Sequence, residues 1–167
     1  LDITVAQAQA LAAALNDGTR DTEYRVYVGM RHWAPYIREA VSHIVQDGLS
    51  QVIAFCMAPH YSKMSTAAYF QKLTEAEQAL GARLDVVQIE DWHAHPLFIH
   101  AVAERVRAAM MKFSERERPE VRVIFSAHSL PAAIIEQGDP YPDELAETCR
   151  LLAAELRLPE DRWQFAY

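Results

Sequence analysis

Short apolar runs alternate along the chain with segments whose apolar residues recur every three or four positions. The runs have the length and β-branched content of buried strands, and we predict strands at residues 24–29, 52–56, 84–87, 121–125 and 163–167. Four segments have the spacing of amphipathic helices, with apolar stripes that begin at Val5, Tyr36, Phe98 and Leu145. This alternation predicts an α/β fold of parallel sheets flanked by helices.

Two segments carry information about chain organisation. Residues 114–119 are charged and end in a proline, so we interpret them as a domain boundary or a surface crossover. The last predicted strand, at residues 163–167, has no helix after it to cover it. We therefore expect the sequence to be incomplete at its C-terminus, and the absence of an initiator Met indicates a processed or cut N-terminus.

Composition narrows the functional classes. The chain has 167 residues, 51% of them hydrophobic and 23% charged, which is typical of a globular protein with a real core. Its net charge of −7 argues against non-specific binding to nucleic acid or anionic membranes. Cys56 and Cys149 are far apart and form no CxxC motif, so we expect reduced thiols and a cytoplasmic protein.

Histidines concentrate where predicted strands end. Five of the seven follow a strand, and these are His32, His60, His93, His95 and His128. Ligands bind beyond the carboxyl ends of parallel strands, and imidazole both ligates metals and accepts protons. The pattern therefore predicts a metal- or proton-handling pocket, with nearby tryptophan and tyrosine rings as its walls.

Each of these residues also has an ordinary structural interpretation. His60 could anchor a turn, and at least one of His93 and His95 is expected to be structural because Pro96 starts a helix directly after them. Trp92 could belong to the core or to a pocket wall. Arg31 could bind a substrate carboxylate, although spacing alone favours an ordinary ion pair.

His128 is the sharpest candidate. It follows the apolar strand at residues 121–125 and lies between two small residues, Ala127 and Ser129, which leave a ligand room to approach. The sequence contains no GxGxxG, GxxxxGK[ST], HExxH or GxSxG motif, so the dinucleotide, P-loop, zincin and α/β-hydrolase classes lose their main support.

Two sequence blocks resemble a known family. FSAHSLP at residues 125–131, followed by GDPYP at residues 138–142, is similar to the signature of ferrochelatases. Weaker matches occur in the same order along the chain, at residues 28–33, 58–62, 90–96 and 163–164. The resemblance covers essentially the whole chain.

The resemblance implies a function and a set of site residues. The function is insertion of Fe²⁺ into protoporphyrin IX or coproporphyrin III in haem biosynthesis. By position, His128 is the metal ligand or proton acceptor of the reaction. The residues expected to contact the porphyrin are Arg31, His32, Tyr61, Ser62, Tyr69 and Trp92.

The resemblance also implies an architecture of two similar chelatase-like α/β domains, truncated at both ends. Residues 1–118 would form most of the first domain, and residues 119–167 would begin the second. We expect no tightly bound cofactor, with Fe²⁺ as a substrate, and no nucleic-acid partner. Any peripheral membrane contact would come from segments outside the chain, and this polypeptide alone is expected not to insert iron. The alternatives are a cobalt or nickel chelatase and a non-catalytic metal- or haem-binding module.

Overall fold

The computed structural model describes residues 1–19 and 21–167, which form six α-helices and four β-strands. In chain order they are α1 (Asp2–Leu15), α2 (Ile37–Gln46), β1 (Gln51–Phe55), α3 (Thr66–Leu80), β2 (Asp85–Ile89), α4 (Pro96–Met110), β3 (Val123–Ser126), α5 (Ala133–Glu136), α6 (Tyr141–Leu156) and β4 (Trp163–Ala166). Short 3₁₀ turns at Arg118–Glu120 and Glu160–Arg162 precede β3 and β4. The predicted α/β class is confirmed.

The strands pair two by two. β1 pairs with β2, and β3 pairs with β4 in parallel, with a register that runs from Val123 opposite Trp163 to Ser126 opposite Ala166. Parallel strands need a long crossover, and here α5 and α6 lie between β3 and β4 along the chain. Four of the five predicted strands are thus confirmed.

The predicted strand at residues 24–29 is wrong, since no residue of it is in a strand. The backbone N–H of Tyr24 donates to Asn16 Oδ1 at 2.8 Å, and Asn16 Nδ2 donates to the Tyr24 carbonyl at 2.8 Å. The side chain that follows α1 therefore satisfies both backbone groups that Tyr24 would offer to a neighbouring strand.

Helix α3 was not predicted from the sequence. Its buried side chains include Phe70 and Ala76, and four of its fifteen residues are alanines. Phe70, Leu73, Ala76 and Leu80 recur every three or four residues, so the helical period is present in the sequence.

The chain divides into two compact units. Unit 1 comprises residues 1–54 and 68–88, and unit 2 comprises residues 55–67 and 89–167. Unit 1 buries apolar side chains of α2, β1 and α3: Ala40, Val41, Ile44, Ala54, Phe70 and Ala76. In unit 2, α4 packs on α6 around Ile99, Ala103 and Leu152, and Phe125 of β3 packs against this core. The domain boundary at residue 118 stays a prediction.

A close approach in unit 1 explains one glycine. A Cβ built on Gly29 would lie 3.0 Å from the Cα of Ile37, so a larger residue would push α2 away. Helix α2 begins beside it, where the Glu39 carboxylate accepts from the Tyr36 backbone N–H at 2.7 Å. Among the helices formed by the described residues, none is long and apolar enough to cross a membrane.

Candidate functional site

Most of the predicted site residues belong to unit 2. The loop after β1 carries His60, Tyr61 and Ser62, and the loop after β2 carries Trp92 and His93. His128 follows β3 in the same unit. The loops that follow β1, β2 and β3 therefore carry these predicted residues, which stay candidates for a functional site.

His128 lies in an open position. Its side chain is exposed two residues beyond the end of β3, and no other described residue forms a hydrogen bond or ion pair with its imidazole. Its backbone carbonyl accepts from the Tyr141 hydroxyl at 3.1 Å. The backbone is thus fixed while the ring stays accessible to a ligand.

Asp139 holds the loop after β1, and sequence reasoning did not identify this role. The residue is buried, and its Oδ2 accepts from Ser62 Oγ at 3.1 Å and from the Lys63 N–H at 2.8 Å. Its Oδ1 accepts from the Tyr141 N–H at 3.0 Å, at the start of α6. Gly138 precedes it with a φ of 63°, a conformation that favours glycine. The GDPYP block therefore ties one site loop to α6.

Ser62 helps to anchor the loop after β1. It is fully buried, its N–H donates to Thr66 Oγ1 at 2.8 Å, and its hydroxyl is engaged by Asp139. The neighbouring Tyr61 N–H donates to Glu144 Oε2 at 2.7 Å. Burial raises the pKa of the Tyr61 phenol. The loop after β1 is therefore held by Glu144 on α6 and by Asp139 in the segment that precedes α6.

His93 is buried among three carboxylates. Its Nδ1 lies 3.0 Å from Asp91 Oδ1 and 3.5 Å from Glu144 Oε2, and its Nε2 lies 3.2 Å from Glu147 Oε2. The side chains of His93 and Glu144 are only 10% and 11% exposed. Burial raises the pKa of Glu144, although the Tyr61 N–H and His93 lower it in part. These acids were not predicted, although Glu144 and Glu147 lie one helical turn apart on α6.

His60 lies among three aromatic rings, those of His93, Phe98 and Tyr141. Its ring stacks on His93 at a centroid distance of 5.9 Å and meets Tyr141 edge-on at 6.0 Å. Its Nε2 is 2.9 Å from Thr148 Oγ1. Burial lowers the pKa of His60 from 6.5 to about 4, and nearby His93 acts in the same direction. His60 is therefore neutral at physiological pH.

Two further predicted residues of unit 2 are held by backbone groups. Trp92 Nε1 donates to the Cys56 carbonyl at 2.9 Å, and its half-buried ring packs against Phe55 and Phe98. His95 caps α4 by accepting from the Leu97 N–H at 3.3 Å, ahead of Pro96. The prediction that one of His93 and His95 is structural is confirmed for His95.

Unit 1 holds the other predicted residues. The Arg31 guanidinium lies 5.6 Å from the ring centroid of Tyr69, within the range of a cation–π contact. Beside it is a cavity of about 360 Å³, lined in part by Arg31, Arg38 and Lys72. His32 is exposed. The cavity wall thus carries three cationic side chains and one carboxylate, Glu75, which forms an ion pair with Lys72.

Comparison with known proteins gives a consistent result. The family model described as Ferrochelatase matches residues 1–167. A ferrochelatase of Deinococcus radiodurans is 42% identical over 166 residues, which are 99% of this chain and 52% of that protein. A coproporphyrin III ferrochelatase of Listeria innocua is 38% identical over 157 residues, covering 94% of this chain and 50% of that protein. The chain spans about half the length of these curated relatives.

Proposed function

The chain belongs to the ferrochelatase family, and from that premise we propose that the protein inserts Fe²⁺ into a porphyrin in haem biosynthesis. The observation that carries this proposal is the exposed His128 imidazole beyond β3, within the block that resembles the family signature. An imidazole with no partner among the described side chains is available to a metal or to a pyrrole proton.

The reaction sets chemical demands that these residues meet. Two pyrrole N–H protons must leave the porphyrin, and the freed nitrogen lone pairs must face the metal. In the proposed mechanism, His128 accepts a proton or ligates Fe²⁺ through a ring nitrogen. The Tyr141 hydroxyl bond to the His128 carbonyl fixes the backbone from which that ring projects.

Substrate binding is assigned to the residues that the family resemblance implies. We assign the porphyrin propionates to Arg31, which the Tyr69 ring orients, and to His32. Trp92 is assigned to the porphyrin face because its ring is half-buried and fixed by the Cys56 carbonyl. Tyr61 is assigned to the same face, and Ser62 supports it from the buried side.

The alternative functions lack comparable support. The matching relatives are named as ferrochelatases, which favours neither a cobalt or nickel chelatase nor a non-catalytic metal- or haem-binding module. Our proposal includes a cytoplasmic location, porphyrin and Fe²⁺ as substrates, no nucleic-acid partner and no tightly bound cofactor. The Listeria innocua relative is named for coproporphyrin III, so we propose that substrate first.

The test is an anaerobic assay of the protein that carries this chain. Fe²⁺, Co²⁺ and Ni²⁺ are each mixed with coproporphyrin III and with protoporphyrin IX, and metallation is followed by the Soret and Q bands. We expect the fastest turnover with Fe²⁺ and coproporphyrin III. Faster turnover with Co²⁺ or Ni²⁺, or no turnover with any metal, would refute the proposal.

A further inference from the structure

We propose that Asp91, His93 and Glu144 bind one first-row divalent cation at a site separate from His128. One ligand atom from each residue lies within 4.8 Å of the other two. All three residues belong to unit 2. This site goes beyond the proposed iron insertion and stands whether or not the protein metallates porphyrins.

The distances approach those of a coordination sphere. A metal about 2.1 Å from nitrogen and oxygen ligands places neighbouring ligand atoms roughly 3.0–3.4 Å apart. His93 Nδ1 is 3.0 Å from Asp91 Oδ1 and 3.5 Å from Glu144 Oε2. Two of the three separations are therefore close to this range. The third, between the carboxylate oxygens of Asp91 and Glu144, shortens to it if the exposed Asp91 side chain moves slightly.

Glu147 gives His93 the orientation that a ligand needs. Its carboxylate lies 3.2 Å from His93 Nε2, on the side of the ring opposite Asp91. A proton on Nε2 that is donated to Glu147 leaves the Nδ1 lone pair facing Asp91 and Glu144. A carboxylate that holds the far nitrogen of a ligating histidine is the usual support of metal sites.

Charge and burial also favour a cation. Three carboxylates surround one imidazole, and no lysine or arginine among residues 1–19 and 21–167 forms an ion pair with any of the three. Glu144 is 11% exposed, so its negative charge is poorly solvated. A divalent ion would offset that cost, while the Tyr61 N–H keeps Glu144 Oε2 in place.

The ligand set limits the kind of metal. One imidazole nitrogen with two carboxylate oxygens suits Mn²⁺, Fe²⁺, Co²⁺ and Zn²⁺, whereas Ca²⁺ and Mg²⁺ prefer oxygen ligands alone. Cu²⁺ would bind most tightly to such ligands in general, so selectivity has to be measured. Co²⁺ is the probe of choice because its visible absorption reports its coordination.

The test is a Co²⁺ titration of chelator-treated protein carrying His128→Ala, which removes the other candidate ligand. We expect one Co²⁺ per chain with new visible bands. In this background, Asp91→Asn and Glu144→Gln should each weaken binding at least about tenfold, and Glu147→Gln about tenfold to a hundredfold. Asp143→Asn, an exposed acid on α6, is the matched control and should leave the affinity unchanged.

The result that overturns the site is equally specific. If the His128→Ala protein binds no Co²⁺, or if Asp91→Asn and Glu144→Gln bind it as tightly as their parent does, the proposal is wrong. Both substitutions preserve side-chain size, and circular dichroism of each variant establishes that it is folded. His93→Ala is a further variant, whose loss of the visible bands should match that of Glu144→Gln.

Discussion

His93 and His128 follow different strands of the same chain, and their surroundings are opposite. His93 is 10% exposed and has a carboxylate near each ring nitrogen. His128 is exposed, and only its backbone carbonyl has a partner among the described residues. The buried imidazole is thus held between carboxylates, whereas the exposed imidazole is open to a ligand.

This difference separates two uses of one side chain. A ring whose nitrogens already face Asp91, Glu144 and Glu147 is suited to hold a cation in a set geometry. A ring with no partner among the described residues can approach a reacting atom and exchange a proton with it. We therefore expect His93 to matter for stability and cation binding, and His128 to matter for turnover.

The largest effect on stability should come from removing the buried ring. His93→Ala leaves Glu144 buried without its neighbour, so we expect the free energy of unfolding to fall by about 2–4 kcal/mol. His128→Ala should change it by less than about 0.5 kcal/mol, because the side chain is exposed. Urea unfolding of both variants measures the difference. Equal stability of the two variants would contradict the difference in structural role between His93 and His128.

A smaller loss is expected when the bonds that join the loop after β1 to the start of α6 are removed. Asp139→Ala removes the acceptor for Ser62, Lys63 and Tyr141, and should lower the free energy of unfolding by about 2–3 kcal/mol. Asp143→Ala, an exposed acid nearby on α6, is the control and should cost about 0.5 kcal/mol or less. Urea unfolding again gives the values. Similar losses for both variants would show that the hydrogen bonds of Asp139 contribute nothing to stability.

The smallest effect concerns pH. The pKa of His60 is 6.5 in its ordinary state and about 4 in the folded protein, so the unfolded chain binds the extra proton between these values. His60 therefore contributes stability above pH 6.5 that is lost as the pH falls toward 4. The raised pKa of Glu144 changes stability with pH in the opposite direction. Glu144 is unchanged when His60 is substituted, so its effect is the same in the parent and in a His60 variant.

His60→Gln isolates this contribution. Glutamine can still bond to Thr148, but it does not titrate. Between pH 7 and pH 4.5, the free energy of unfolding should fall less steeply in the variant than in the parent. Urea unfolding at several pH values supplies both slopes, and identical slopes would contradict the lowered pKa of His60. His93 and Asp91 are the titratable neighbours that act on this ring, and both are unchanged in the variant.

The sequence predicts elements whose signal is local. Runs of β-branched residues predicted β1, β2, β3 and β4, and the strand-end rule predicted the loops that carry His60, His93 and His128. The strand predicted at residues 24–29 is wrong because Asn16, on another segment, satisfies the backbone N–H and carbonyl of Tyr24. Helix α3 was not predicted, although Phe70, Leu73, Ala76 and Leu80 have the spacing of a helix.

The site depends on contacts that are distant along the chain. Glu147 meets His93 across 54 residues, and Asp139 meets Ser62 across 77 residues. No spacing rule joins them, because only the packing of α6 beside the two loops brings them together. The GDPYP block carries the family resemblance, and the hydrogen bonds of Asp139 give this block a structural role.

The most direct test of the account is the rate of Fe²⁺ insertion after removal of the exposed ring. We predict that His128→Ala lowers kcat by about 10²- to 10⁴-fold, while urea stability and Co²⁺ binding at Asp91, His93 and Glu144 stay as in the parent. His43→Ala, an exposed histidine on α2, should insert iron at the parent rate. Turnover by His128→Ala equal to that of His43→Ala would contradict the central claim.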